Sequence, residues 1–399
     1  MSDTPRGDKP LALDTLLAHS GGDPTQRHGA VNPPVYRAST FVFPTVADWE
    51  ASRVHEHRFD VIRYGQLATP TTLAFEQSIA TLEGGYRAML VPSGLAAVTV
   101  ALQALVRAGD HILVADSAYV PTRIFCDRTL KRFGVETTYY DPLIGEKIGT
   151  LFRPNTRLVF LESPGSMTFE VQDVPAITRV ARERGIYTLL DNSWATPYFF
   201  PAFEHGIDVS ILAATKYIGG HSDVMMGTIT TTEALYDRVR SEVAELGFCV
   251  GSDDAYLALR GLRTLSVRLE RHQRNATQVA EWLRTRPEVA RVTYPALPDA
   301  PGHAMWKRDF RGASGLFGVE LRPVAKAGVD ALLNSLELFG MGASFGGFES
   351  LAIPMDPGPF RTATRWTHDG PLIRLHIGLE DPNDLIADLA RGFDRMRAV

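Results

Sequence analysis

The lysine at position 216 closes an apolar run, VSILAAT (209–215), and precedes Tyr217-Ile218-Gly219-Gly220-His221. Lysines are rarely buried unless they are paired or functional. A desolvated amine loses basicity, which suits it to Schiff-base chemistry; the other outcome is a stem that snorkels its charge to water. Three more residues stand at the ends of similar runs. Asp191 follows YTLL (187–190) and could hold a positive ring nitrogen or begin a turn. Pro92-Ser93-Gly94 follows AMLV (88–91). A glycine ahead of a helix can cradle a phosphate on free N–H groups, although most strand–Gly–helix turns are only turns. Tyr119 lies just beyond ILVA (112–115) and could stack on a flat cofactor or be a half-buried aromatic. Thr215 could add a hydroxyl to the phosphate. A phosphate turn, a stacking ring, an acid for a ring nitrogen and a lysine are together what pyridoxal phosphate (PLP) requires.

These residues can meet only if their runs are strands of one sheet. The runs at 88–91, 112–115, 158–161, 187–190 and 209–213 read as buried strands, and 95–107, 120–133, 173–184 and 231–246 as helices between them. Such alternation predicts an α/β domain with a mostly parallel sheet, whose ligands gather beyond the carboxyl ends of the strands. A long helix over 253–286 leads to a smaller α+β region, with strands at 292–295, 316–321 and 372–378 and a final helix from Asp384. Gly21-Gly22, Pro33-Pro34 and Pro44 interrupt the first 66 residues, which read as an irregular arm lying on something else, such as another subunit. The expected division is an arm at 1–66, the cofactor-binding domain at 67–262 and the C-terminal α+β domain at 263–399.

Composition excludes several classes. Across 399 residues, 45% are hydrophobic and 22% charged, enough apolar material for a core. The net charge of -5 disfavours nucleic acid or an anionic membrane as partner. No run is long and apolar enough to span a bilayer, and MSDTPRGDKP lacks the apolar centre of a secretory signal, so the expected setting is cytoplasmic. Cys126 and Cys249 form no pair and read as buried, reduced thiols. His55-Glu56-His57 has metal-ligand residue types in a polar stretch that is more simply solvated, so no metal is expected. His205 and His221 flank the lysine strand, His221 as a loop former, and Tyr198-Phe199-Phe200 reads as packing.

Beyond these single residues, the chain resembles the Cys/Met-metabolism family of fold-type I PLP enzymes along nearly its whole length. More narrowly, it is similar to the bacterial β-lyases of that family. The stretches that carry the likeness are VNPPVYRASTFVFP (31–44), LEGG (82–85), LESPGSMTFEVQDVPAI (161–177), DNSWATP (191–197), GIDVSILAATKYIGGHSDVMMGT (206–228), RGLRTLSVRL (260–269), HAMWKRDFRGASGLF (303–317), GGFESL (346–351) and LIRLHIGLED (372–381). The resemblance implies an aspartate-aminotransferase-type fold and PLP as cofactor. It implies carbon–sulfur bond cleavage in an amino-acid thioether such as cystathionine, and a homotetramer built from two dimers with shared sites. It makes Lys216 the Schiff-base lysine, Asp191 the partner of the ring nitrogen and Tyr119 the stacking ring. Gly94 and Leu95 become backbone phosphate donors, with Thr215 a phosphate hydroxyl. Arg374 becomes the clamp on the substrate carboxylate, and Ser344 part of the pocket loop. Tyr64, which opens YGQLATPT, becomes the tyrosine that reaches a neighbouring subunit's site.

The sequence also departs from the family pattern. Gln66 stands where the family carries an arginine on the cofactor phosphate, which gives up a charge-assisted bond; Arg63 could compensate. In the pocket loop, Ala343 and Phe345 replace a tyrosine and a tryptophan. A wider, less polar pocket follows, and these changes bear on substrate choice more than on the cofactor. The competing expectations are a γ-lyase, a γ-synthase or a lyase of another cysteine S-conjugate and, more remotely, a non-catalytic binding protein of the same fold.

Overall fold

The structure is a computed structural model that describes residues 11–53, 61–367 and 370–399. Its main sheet has seven strands: β1 (Arg87–Val91), β2 (His111–Ala115), β3 (Glu136–Tyr140), β4 (Thr156–Glu162), β5 (Tyr187–Asp191), β6 (Val209–Leu212) and β7 (Gly227–Thr231). They lie in the order β1-β7-β6-β5-β4-β2-β3, and only β7 runs antiparallel to its neighbours. The carboxyl ends of β1, β2, β4, β5 and β6 therefore face one way. The central strands are fully buried because helices cover both faces, which is why they read as continuous apolar runs. Each large apolar side chain enclosed there, Phe160 or Leu189 for example, contributes about 1.5–3 kcal/mol by leaving water.

A second, antiparallel sheet holds β8 (Val289–Thr293), β9 (Leu316–Leu321), β10 (Leu351–Met355) and β11 (Leu372–His376) in the order β10-β11-β9-β8. The helices Ser252–Leu262 and Leu265–Arg284 lead into it. One continuous hydrophobic core joins the inner face of the main sheet to this second sheet. Two polar stitches cross the join: Trp194 Nε1 donates to the Leu316 carbonyl at 2.9 Å, and Gly315 N donates to the Tyr217 hydroxyl at 2.9 Å.

Several elements differ from the reading of the sequence. The arm is not wholly irregular: Leu13–Ala18 and Val46–Arg53 are helical, and Leu17 is buried. The helix expected over 253–286 is two helices, broken at Arg263-Thr264. The segment expected as a helix over 120–133 passes from α-helical Val120–Ile124 into π-helical Phe125–Leu130. Strands β3, β7 and β10 and the helix Pro70–Glu83 lie outside the expected elements. The latter is well marked locally: Thr69 and Thr72 form a reciprocal cap, Pro70 starts the helix and Gly84 ends it at φ +71°. Strand β8 starts earlier than expected, and the final helix begins at Pro382. Cys126 is buried, but Cys249 is exposed, because it sits in the turn after the helix Glu233–Glu245.

Candidate active site

Lys216 lies in the turn that follows β6. Its N–H bonds to the Ala213 carbonyl at 2.9 Å, and its own carbonyl accepts the N–H of Gly220 at 2.8 Å. Gly220 has φ +73°, and a Cβ there would collide with the Arg268 guanidinium. Arg268 is buried and donates to the carbonyls of Tyr217 (2.6 Å), Ile218 (3.3 Å) and Gly261 (2.7 Å). Among the described residues no carboxylate faces it in an ion pair, and burial lowers its pKa to about 10. The carbonyl groups of the loop behind the lysine are thereby satisfied without placing a negative charge beside it.

From the second sheet, the loop ahead of β10 closes over the same lysine. Gly346, at φ +83°, approaches so closely that a Cβ would lie 2.5 Å from Tyr217 N and 2.7 Å from the Lys216 carbonyl carbon. That approach brings Ser344 Oγ to 2.7 Å from Lys216 Nζ and the Phe345 ring to 5.0 Å from it. Gly346 N donates to His376 Nε2 at 3.1 Å. The same nitrogen faces the Gly347 carbonyl at 3.2 Å, and burial, reinforced by His272, holds the imidazole well below its usual pKa, so the ring is neutral. Enclosure lowers the Lys216 amine to about 8, with the positive charge of Arg374 adding to the shift and Asp191 opposing it. The amine therefore loses its proton far more readily than an ordinary lysine, with the neutral form becoming the major one above about pH 8.

Asp191 ends β5, and Glu162 stands directly across from it at the end of β4. Asp191 accepts the Ser193 N–H at 3.0 Å. Both carboxyls are pushed upward, Asp191 by burial, and Glu162 by burial and then by the charge of Asp191. Two acids side by side at the working edge of a sheet form a site that a positive ring nitrogen would stabilise. Glu162 Oε2 also accepts the backbone N–H of Tyr119 at 2.7 Å, which fixes the start of the segment carrying that ring. Tyr119 is 43% exposed, so part of it is open to a ligand. Arg374 on β11 lies near enough to Tyr119 for each to perturb the other, and burial lowers its guanidinium.

The helix Gly94–Leu105 begins beside the turn after β6. Ser93 caps it by accepting the Ala96 N–H at 3.0 Å, which leaves the first N–H groups of the helix, those of Gly94 and Leu95, without intrahelical partners. A Cβ on Gly94 would lie 2.7 Å from Ala213 Cβ, so only glycine lets this N-terminus sit against the lysine strand. Thr215 Oγ1 is held at that edge by Met226, accepting its N–H at 2.9 Å and donating to its carbonyl at 3.1 Å. An amine with lowered basicity, an acid pair, an open aromatic face and a helix N-terminus fit a phosphorylated pyridine aldehyde.

The structure therefore brings together Lys216, Asp191, Tyr119, Gly94, Leu95, Thr215, Arg374, Ser344 and Phe345. Tyr64 and Gln66 are placed elsewhere on the same chain. Gln66 Nε2 donates to the Ala244 carbonyl at 3.2 Å, and Tyr64 is half exposed. Among the hydrogen bonds and ring contacts of the described residues, neither reaches Lys216. Arg63 Nε is buried without a partner among the described residues. Ala343 is exposed. His221 bonds back to the Gly219 carbonyl at 2.8 Å, and His205 stacks on Phe200. The His55-Glu56-His57 stretch lies outside the described residues. Glu162, Arg268 and Gly346 were missed in the sequence, although Glu162 ends an apolar run in the same way as Asp191. Among the described residues no helix is long and apolar enough to cross a membrane.

A family model described as Cys/Met metabolism PLP-dependent enzyme matches residues 14–394. The chain is 50% identical over 391 residues to a relative from Rhizobium johnstonii, covering 97% of each chain. It is 44% identical over 393 residues to cystathionine beta-lyase MetC of Escherichia coli, covering 96% of this chain and 98% of the relative. The crystal structure of metB from Corynebacterium glutamicum superposes with a TM-score of 0.88 at 29% identity, covering 96% of this chain and 98% of that one.

Proposed function

The chain belongs to the Cys/Met metabolism PLP-dependent enzyme family, and from that premise we propose that it cleaves L-cystathionine by β-elimination. With one water consumed, the products are L-homocysteine, pyruvate and ammonia. The observation that carries the reading is the Lys216 amine, lowered to about 8 and set opposite Asp191 and Tyr119 at one sheet edge. Full-length similarity to the E. coli cystathionine beta-lyase supports the substrate.

In this reading Lys216 holds the cofactor, Asp191 faces its ring nitrogen, Tyr119 covers its ring, and Gly94, Leu95 and Thr215 take its phosphate. When bound, the cofactor supplies the electron sink for the substrate Cα. The chain does the rest. Arg374 grips the α-carboxylate through its planar fork and fixes which Cα bond faces Lys216. Lys216 Nζ takes the Cα proton as general base, aimed by the Ser344 hydroxyl. The resulting ammonium returns a proton to the departing sulfur. Phe345, beside Lys216 Nζ, gives an apolar wall on the side of the thioether.

Tyr64 and Gln66 find their role across a subunit boundary: the arm at 1–66 is held at Leu17, Ser20 and Asn32 by its own chain and reaches a partner at its end, with the cofactor-binding domain at 67–262 and the C-terminal domain at 263–399. The assembly is a homotetramer of two such dimers, working in the cytoplasm. The test is product identity. Cystathionine should yield pyruvate and homocysteine; 2-oxobutyrate and cysteine would instead establish γ-elimination and overturn the reading.

A further inference from the structure

Beside the site lies a buried charge cluster that the proposed chemistry does not use. Asp116 follows β2 directly, and its side chain is fully enclosed. Onto its carboxylate folds the connection between β10 and β11, with three successive N–H groups. Thr362 N donates to Oδ1 at 3.0 Å, and Ala363 N and Thr364 N donate to Oδ2 at 3.1 and 3.0 Å. The hydroxyls of Thr362 and Thr364 add bonds of 3.1 and 3.0 Å. Arg123 Nη1 approaches to 2.9 Å and Arg361 Nε to 3.3 Å. Consecutive N–H groups curled on an anion form a nest, here closed on a carboxylate of the same chain.

The cluster is balanced and saturated. Arg361 also pairs with Glu170 at 2.9 Å and donates to Thr168 at 3.0 Å. Arg123 donates its second nitrogen to Thr362 Oγ1 at 2.9 Å and lies 3.5 Å from the centre of the Tyr139 ring. Two acids therefore meet two guanidiniums. Burial alone would raise the Asp116 carboxyl, but the N–H groups of Thr362, Thr364 and Ala363 and the charge of Arg123 outweigh it and keep it ionised.

The position of this knot along the chain gives it a role. On one side it ends the short segment Asp116–Tyr119, whose far end is fixed by the Tyr119 N–H to Glu162. On the other side it anchors Arg361–Thr364, in the connection between β10 and β11, the strand that carries Arg374. A greasy contact at this place would let the second sheet slide over the first. Directed bonds to one carboxylate fix both distance and rotation.

We propose that Asp116 is a positioning residue, which through the strap Arg361–Thr364 sets Arg374 and Tyr119 at their working separation. The proposal rests on the roles given above to Tyr119 and Arg374. A displacement of either by about 1 Å would cost far more in rate than in stability.

The test uses the holoenzyme carrying Asp116→Asn or the pair Thr362→Val/Thr364→Val, with Thr362→Ser/Thr364→Ser as the conservative rescue. Four quantities are read: the visible circular dichroism of bound PLP, the Kd for PLP, KM against kcat for cystathionine, and Tm. The first two variants should lose at least half of the cofactor dichroism and raise KM by about tenfold, while the serine pair behaves as the parent. A fall in Tm with dichroism, Kd and KM all within about twofold of the parent would reduce Asp116 to a staple and overturn the proposal. If Asp116→Asn does not fold, the valine pair decides. If the parent itself does not cleave cystathionine, the function proposed above fails, while dichroism and PLP affinity still decide the role of Asp116.

Discussion

Lys216 Nζ and Ser344 Oγ lie 2.7 Å apart, one on the turn after β6 and the other on the loop before β10. That hydrogen bond closes the site across two sheets, because the amine comes from the first and its aiming hydroxyl from the second. The loop ahead of β10 covers the lysine, and β11 of the same sheet supplies the guanidinium of Arg374. Whatever holds this cover in place therefore acts on the chemistry as directly as the strand that carries the lysine.

The lowered basicity of Lys216 has a measurable signature. In the cofactor-free protein, reductive methylation of this amine should titrate with a midpoint at about 8 instead of the usual lysine value. Neutral amine is the reactive form, so labelling rises as pH passes that midpoint. Arg374→Gln removes a neighbouring positive charge and should move the midpoint up; Asp191→Asn removes a negative one and should move it down. Mass-spectrometric labelling over a pH series reads all three.

Gly346 and Ser344 should differ in their cost. Gly346→Ala places a methyl 2.5 Å from Tyr217 N in a left-handed backbone, so the pocket loop must withdraw from the lysine. Its kcat/KM for cystathionine should fall by about 10²-fold. Ser344→Ala removes a single bond to a group that titrates and should cost about tenfold. Steady-state kinetics on the folded holoenzymes, checked by near-ultraviolet circular dichroism, separate the two.

Glu83 makes the fold itself sensitive to pH. It is buried in the helix Pro70–Glu83, bonds to Ser210 at 3.0 Å, and burial raises its carboxyl to about 8. The raised value means that the folded state holds the proton more tightly than the unfolded chain. The stability this contributes is complete below the unfolded value near 4.5 and is lost as pH rises toward 8. Glu83→Gln keeps the shape without the charge. It should leave Tm at pH 5 nearly unchanged and raise it at pH 8.5 by several degrees, about 4–5 kcal/mol of stabilisation. Thermal melts at the two pH values measure this.

Much of the site was legible because its residues end apolar runs. The strands carrying Asp191 and Lys216 announce themselves by continuous burial, and the glycine after β1 announces a close approach. Strand β7 (Gly227–Thr231) was not legible, because GTITT mixes threonines with a single isoleucine and follows a glycine- and histidine-containing loop; its burial comes from the helices packed over it. The break at Arg263-Thr264 was hidden for a different reason. Both residues are tolerated in helices, and the chain turns there because Arg263 reaches the arm, donating to the Ser20 carbonyl and to Asn32. The knot on Asp116 could not be read at all: Arg123 is near in sequence, but the N–H groups that close on the carboxylate stand more than 240 positions away. Glu162 was within reach: it ends LVFLE as Asp191 ends YTLLD, and the same edge rule applies to both.

The most direct check is to find where the cofactor is attached. The PLP-loaded protein is reduced with borohydride and digested, and the peptide bearing the cofactor's added mass is sequenced. The account predicts that this mass sits on Lys216, and that Lys216→Ala yields no labelled peptide and no pyruvate from cystathionine. Label on Lys9, Lys131, Lys147, Lys307 or Lys326, or undiminished turnover by Lys216→Ala, would contradict it.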